Sequence, residues 1–308
     1  MSLARGGGIM AITRERLKAL LGVTDVALAL RGVTTEERAG YRLERINFTT
    51  RGGDTIRGLL TRPIDLSVPA PAIVYAHAHG ARYDIGASEL VEGRPELLGP
   101  LGPIFAHAGY VTLAIDMPTF GERSGVTESA ASKAAVWYGK SLFGQMLSEQ
   151  AGAVGYLASR SDVDQQHIGM FGLSMGSILT YWLAAVDQRI AAAAHLCCFA
   201  DFATMVASGA HDGHGHYLTV PGLLAETSTG EIGGMVAPRP QLICLGNDDA
   251  LTPPLAVERA LAETVAAYAA ANASRALEVH RQPGGHAETA QMRDAVLHFF
   301  ARTLRAGL

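Results

Sequence analysis

The segment Gly172-Leu173-Ser174-Met175-Gly176 sets one serine between two glycines. A serine hydroxyl is a poor nucleophile until a base accepts its proton. The flanking sequence supplies the setting for one. The apolar run 167–171 leads directly into the segment, and 175–186, apolar nearly all round, leads out of it. A turn this tight between a strand and a helix lifts the serine above the sheet and leaves no room for side chains at the flanking positions. With no base nearby, the same pattern would be only a βα turn whose serine caps the helix.

In this arrangement the acid and then the histidine follow the serine in the chain. Asp248 and Asp249 lie in the loop 245–253, and His286 lies in the Gly/Pro-rich loop 282–286. Each loop comes directly after an apolar run. Either aspartate can serve as the acid. The spacing G-x-x-D-x-x-T-P favours Asp249 and leaves Asp248 as a turn residue. Together, Ser174, His286 and Asp249 spell acyl transfer: attack by the hydroxyl, proton uptake by the imidazole, and orientation of the ring by the carboxylate.

Acyl transfer also needs N–H donors for the developing oxyanion. One is the amide of Met175, directly after the serine. The other is expected from the loop after the run 72–77, which reads His77-Ala78-His79-Gly80-Ala81, and Ala81 N–H is the candidate. His79 is expected to brace that loop or line the substrate pocket, and His77 to be a packed strand residue.

The elements that must position these groups read as a strand–helix alternation. Runs 42–49 and 55–61 alternate apolar and polar residues around Arg51-Gly52-Gly53-Asp54, as a hairpin does. Runs 72–77, 110–115, 167–171, 190–196, 241–245 and 276–280 are almost continuously apolar, as strands buried on both faces are. Helices are expected over 13–21, 103–108, 130–159, 175–186, 255–270 and 288–304. The pattern predicts one α/β domain over residues 1–308: a mostly parallel, eight-stranded, doubly wound sheet opening with an antiparallel hairpin. Two segments, 81–99 and 201–235, interrupt the alternation and should form the pocket and its lid. Phe202 and Tyr217 are candidate wall residues of the second.

Composition narrows the classes further. Of 308 residues, 48% are hydrophobic and 18% charged, which excludes a disordered chain. The net charge of −4, with no basic block, gives no footprint for nucleic acid. No apolar run approaches the ~18 residues of a membrane span. Residues 1–21 carry Arg5, Arg14, Arg16 and Lys18 without an apolar core, unlike a signal peptide. Cys197, Cys198 and Cys244 form no disulfide or C-x-x-C pattern and read as buried thiols of a cytoplasmic protein. Self-association into a homo-oligomer is left open. The cluster His211, His214 and His216 has zinc-like spacing, yet Gly213 and Gly215 and the lack of a completing ligand make it a loop, so no metal and no cofactor are expected.

Over about residues 40–305 the chain resembles the α/β-hydrolases, nearest to a bacterial branch of dienelactone-hydrolase-like and acetyl-xylan-esterase-like proteins. The resemblance rests on His79-Gly80, 116–123, Val163-Asp164 before 167–169, 172–176, Ala237-Pro238-Arg239-Pro240, 246–253 and Gly285-His286. It implies Ser174 as nucleophile, Asp249 as acid and His286 as base. Dienelactone hydrolases proper carry a cysteine nucleophile, so serine here argues against dienelactone itself. Asp116, Glu122 and Arg123 are expected to form a structural charge group, with Arg123 as a substrate-carboxylate clamp the alternative. The expected activity is hydrolysis of carboxylic esters with short acyl groups, including small or carbohydrate esters. An amidase or peptidase on the same residues, or a silent binding protein, are the competing readings.

Overall fold

The computed structural model describes residues 12–305. The segment 1–21 is therefore described only from Ile12 onward. In chain order the elements are α1 (Arg14–Leu21), β1 (Ala29–Arg38), β2 (Tyr41–Thr49), β3 (Thr55–Pro63), β4 (Ala70–Ala76), α2 (Glu89–Glu92), α3 (Leu101–His107), β5 (Val111–Ile115), α4 (Glu128–Trp137), α5 (Leu142–Ser159) and β6 (Val163–Leu173). There follow α6 (Met175–Val186), β7 (Ile190–Leu196), α7 (Phe202–Ser208), α8 (Leu223–Glu226), α9 (Thr229–Gly234), β8 (Gln241–Gly246), α10 (Pro254–Ala270), β9 (Leu277–Gln282) and α11 (Ala290–Thr303).

Nine strands form one sheet in the order β1-β2-β3-β5-β4-β6-β7-β8-β9. The first three and β5 pair antiparallel, and β5 through β9 run parallel. The α/β class and the opening hairpin agree with the sequence, but the sheet has a ninth strand. It is β1, an edge strand of sequence ALRGVTTEER that is exposed or half-exposed along its whole length. With no buried face it carries no apolar alternation, and so no strand signal.

Alternation along the central strands divides the core into two layers. On β4, Ala72, Val74 and Ala76 face a cluster with Phe143 of α5, Ile178 of α6 and Ala256 of α10. Ile73 and Tyr75 face the other cluster, with Phe105 of α3 and Phe299 of α11. Helices on both faces are what lets parallel strands be apolar throughout.

The expected helix 130–159 is two helices. Gly139 adopts a left-handed φ of 67° between them, and Ser141 restarts the second by accepting from Gly144 N–H at 2.9 Å. The segment 201–235 is not plain loop. It holds α7, α8, α9 and two 3₁₀ turns, with Asp201 and Ser228 as N-caps. No helix among the described residues is long and apolar enough to cross a membrane.

Candidate active site

Ser174 sits where β6 ends and α6 begins, at φ 59° and ψ −117°. A non-glycine residue holds such a backbone only when its surroundings impose it. The flanking glycines show how they do so. A Cβ at Gly172 would overlap the Gly176 backbone, and one at Gly176 would overlap the Ala76 carbonyl of β4. Met175 opens α6 directly after the serine, so its N–H has no partner within the helix.

The loops after β8 and β9 bring the other two groups to the same sheet edge. Asn247 N–H donates to Gln282 O and Asp248 N–H to Gly284 O, both at 2.8 Å, which laces the loops together. His286 Nε2 then lies 2.8 Å from Ser174 Oγ, and His286 Nδ1 lies 2.7 Å from Asp249 Oδ2. The second carboxylate oxygen of Asp249 accepts from Leu251 N–H at 2.9 Å. Burial alone would raise the Asp249 pKa. The hydrogen bond and charge of His286, with the Leu251 and Thr252 donors, outweigh it and hold the carboxyl below its usual range. Asp249 is therefore an anion facing Nδ1–H, which leaves Nε2 of a neutral ring as the acceptor facing the hydroxyl. Asp248, the other candidate, accepts from Gly284 N–H at 3.2 Å and makes no bond to His286.

Ser174 and His286 open into a cavity of ≈ 380 Å³, lined also by His79, Arg94, Glu96, His214 and Tyr217. His79 accepts from Ala81 N–H through Nδ1 at 3.0 Å, and its Nε2 bonds Glu128 of α4. Glu128 also accepts from Tyr83 OH at 3.1 Å and from Tyr217 N–H at 3.0 Å. The Tyr217 ring stacks on His79 with centroids 5.2 Å apart. One buried carboxylate thus joins the loop after β4 to the segment 201–235.

Of the residues expected at the site, Ser174, His286, Asp249, Met175, His79, Ala81 and Tyr217 come together. Two expectations change. Ala81 lines the cavity, but its N–H is already engaged by His79 Nδ1. Phe202 does not line the cavity and packs edge-on against Trp182 at 6.2 Å. His77 is buried, with Nδ1–H donating to Ala78 O at 3.0 Å and Nε2 accepting from Met117 N–H at 3.3 Å. Arg123 pairs with Glu149, donates to Asp116 O at 3.1 Å and does not line the cavity, which speaks for the structural charge group over the clamp alternative. Asp116 itself takes a two-pronged bond from Arg57 at 2.9 Å for each prong.

His211, His214 and His216 do not converge. His214 turns inward, with Nδ1 3.8 Å from Cys198 Sγ and Nε2–H donating to Leu251 O at 3.0 Å. Among the described residues, the group of side chains close enough to share a metal ion is Cys197, Asp249 and His286, with ligand atoms within 4.8 Å of one another. All three cysteines are free and buried, and burial pushes the thiols of all three up, away from reactive thiolate.

Glu128, Arg94 and Glu96 escaped the sequence reading. Each lies in a segment of no legible periodicity, and Glu128 is 49 residues from the histidine it meets.

Residues 101–199, which include the serine turn, match the sequence model of the dienelactone hydrolase family. The chain is 36% identical over 270 residues to the Bacillus subtilis (strain 168) protein named "Putative hydrolase YtaP", covering 87% of this chain and 90% of that one. Its fold is similar to that of a glucuronoyl esterase from Solibacter usitatus, with a TM-score of 0.67 at 14% identity over 95% of this chain and 92% of that one. It is similar too to an acetyl xylan esterase from Paenibacillus sp. R4, with a TM-score of 0.66 at 18% identity over 97% of each chain. At such identities these two likenesses speak for the fold alone. The sequence relationship goes further: the chain is a hydrolase and belongs to the dienelactone hydrolase family.

Proposed function

We propose that this hydrolase cleaves carboxylic esters with short acyl groups, small or carbohydrate-borne, through an acyl-enzyme. The observation that carries the reading is the unbroken hydrogen-bonded line from Ser174 Oγ through His286 to Asp249 at the mouth of a cavity. Ser174 Oγ bonds to the acyl carbon as its proton passes to His286 Nε2. Asp249 holds the ring in the required tautomer and steadies the imidazolium. The C–O bond to the alcohol then breaks, and the alcohol leaves with the proton from His286. Water, deprotonated by His286, attacks the acyl-serine and releases the acid and the free hydroxyl.

Met175 N–H serves the oxyanion directly. Ala81 N–H serves it once it exchanges His79 Nδ1 for the substrate oxygen, a swap of one acceptor for another of higher charge. The esterase names of two structural neighbours favour an ester over an amide.

The test is turnover of p-nitrophenyl acetate beside the matched p-nitroacetanilide. Hydrolysis of the ester at least about a thousandfold faster than the anilide is expected. Comparable rates, or no turnover of any acetyl ester by folded protein, would overturn the reading.

A further inference from the structure

Arg94 lies in the segment between β4 and α3, and its side chain is only 1% exposed. Its Nη1 donates to the fully buried Glu89 at 2.9 Å, and its Nε to Glu96 at 2.7 Å. Glu89 also accepts from Tyr75 OH at 2.8 Å and Ala78 N–H at 3.0 Å, so the guanidinium is locked in place from behind. Its remaining nitrogen, Nη2, has no hydrogen-bond acceptor among the described residues. That nitrogen presses on the loop beside Ser174, where a Cβ at Gly80 would overlap it. Arg94 and Glu96 both line the cavity that contains Ser174 and His286.

A rigidly held, charged N–H group beside a cavity, with no protein acceptor of its own, is a donor set out for a ligand. Glu96 offers the complement. Its Oε2 accepts from Arg94, no other side chain among the described residues donates to its Oε1, and its side chain is 36% exposed. The carboxylate is kept below its usual range: burial opposes this, but Arg94 and the neighbouring His286 outweigh it. Glu96 lines the same cavity as His286, the group that hands its proton to the departing alcohol. Two carboxylates already balance the one guanidinium, so an anionic ligand is disfavoured. A neutral group that both accepts and donates fits, and adjacent hydroxyls do both.

We propose that Arg94 Nη2 and Glu96 Oε1 form a paired donor and acceptor that read vicinal hydroxyls on the alcohol half of the ester, making this an esterase for polyhydroxylated alcohols. The inference rests on the ester-hydrolase reading above and adds its substrate class.

The test compares 2,3-dihydroxypropyl acetate with 2-methylbutyl acetate, which has the same skeleton with both hydroxyls replaced by carbon, by release of acetate. The wild-type protein is expected to favour the diol ester in kcat/KM by at least about tenfold over the ratio for hydroxide-catalysed hydrolysis of the same pair. In Glu96→Gln and Arg94→Lys that preference is expected to fall about tenfold, mainly through KM, the size of effect that loss of a charged hydrogen bond gives. Arg94→Lys retains a cation for Glu89. Should it fail to fold, Glu96→Gln and the wild-type ratio decide alone. A wild-type ratio equal to the hydroxide ratio, or a preference unchanged in the folded variants, overturns the proposal. If p-nitrophenyl acetate is hydrolysed in that experiment, the failure belongs to this proposal only. If no acetyl ester is hydrolysed, the ester reading fails with it.

Discussion

Asp249 Oδ2 lies 2.7 Å from His286 Nδ1, while the adjacent Asp248 turns its carboxylate to the Gly284 N–H. One residue of register separates a group that orients the imidazole from one that ties two loops. Asp249→Asn is expected to lower kcat by about 10⁴, because the amide favours the wrong ring tautomer. Asp248→Asn removes one loop bond and is expected to cost less than about tenfold. Steady-state kinetics on both variants check this, and a reversed order would place the acid at Asp248.

A second histidine governs stability rather than chemistry. His195 is fully buried beneath α6, accepting from Gln241 at Nε2 and donating from Nδ1–H to Ser177 Oγ, both at 3.1 Å. Burial lowers its pKa to about 3. Between its ordinary value near 6.5 and about 3, the unfolded chain takes up a proton that the folded chain refuses. Stability must therefore fall as pH falls through that window, by up to ~1.4 kcal/mol per pH unit from this group. His77, lowered for the same reason, adds to the slope. Urea unfolding from pH 4 to 6.5 is expected to show a steep acid limb that is shallower in His195→Gln. Equal slopes in the two proteins would contradict a buried neutral His195.

The turn at Ser174 predicts a strong asymmetry among glycines. A methyl at Gly176 meets the Ala76 carbonyl of the central strand, whereas a methyl at Gly209 meets nothing within 4 Å. Gly176→Ala is expected to cost about 3 kcal/mol or more, as overpacking against fixed backbone does. Gly209→Ala is expected to cost about 1 kcal/mol, from its positive φ of 83° alone. Thermal unfolding of the two variants measures the difference.

The candidate catalytic residues were legible because each is bound to a rule of geometry. Gly172 and Gly176 are required by close backbone approach, and Asp249 and His286 stand just after strands whose apolar runs mark them. The even distribution of apolar residues on β4 through β8 likewise announced a sheet covered on both faces. What stayed hidden had no such rule. The edge strand β1 buries no face, so its residues carry no period. Arg94, Glu96 and Glu128 act through contacts that tertiary folding alone creates. His79 was expected to brace its loop and the Ala81 amide to serve the oxyanion, but no spacing rule reveals that the brace falls on that very amide.

The cavity bears on acyl length. His214, Gly215 and Tyr217 close over a space of ≈ 380 Å³ that must hold both halves of the substrate. Acetyl and butyryl p-nitrophenyl esters are expected to turn over faster than esters with chains of about ten carbons, because each added methylene needs room. A rate that rises with chain length, and rises again at a lipid–water interface, would make the segment 201–235 a lipase-type lid.

The account turns on Ser174 as the atom that takes the acyl group. The direct measurement is covalent labelling by a fluorophosphonate probe, read by peptide mass spectrometry alongside p-nitrophenyl acetate turnover. Stoichiometric modification of Ser174 alone is expected in the wild-type protein. In a folded Ser174→Ala variant, labelling should be absent and turnover reduced by several orders of magnitude. Labelling of a different serine, or a Ser174→Ala protein that retains its activity, would contradict it.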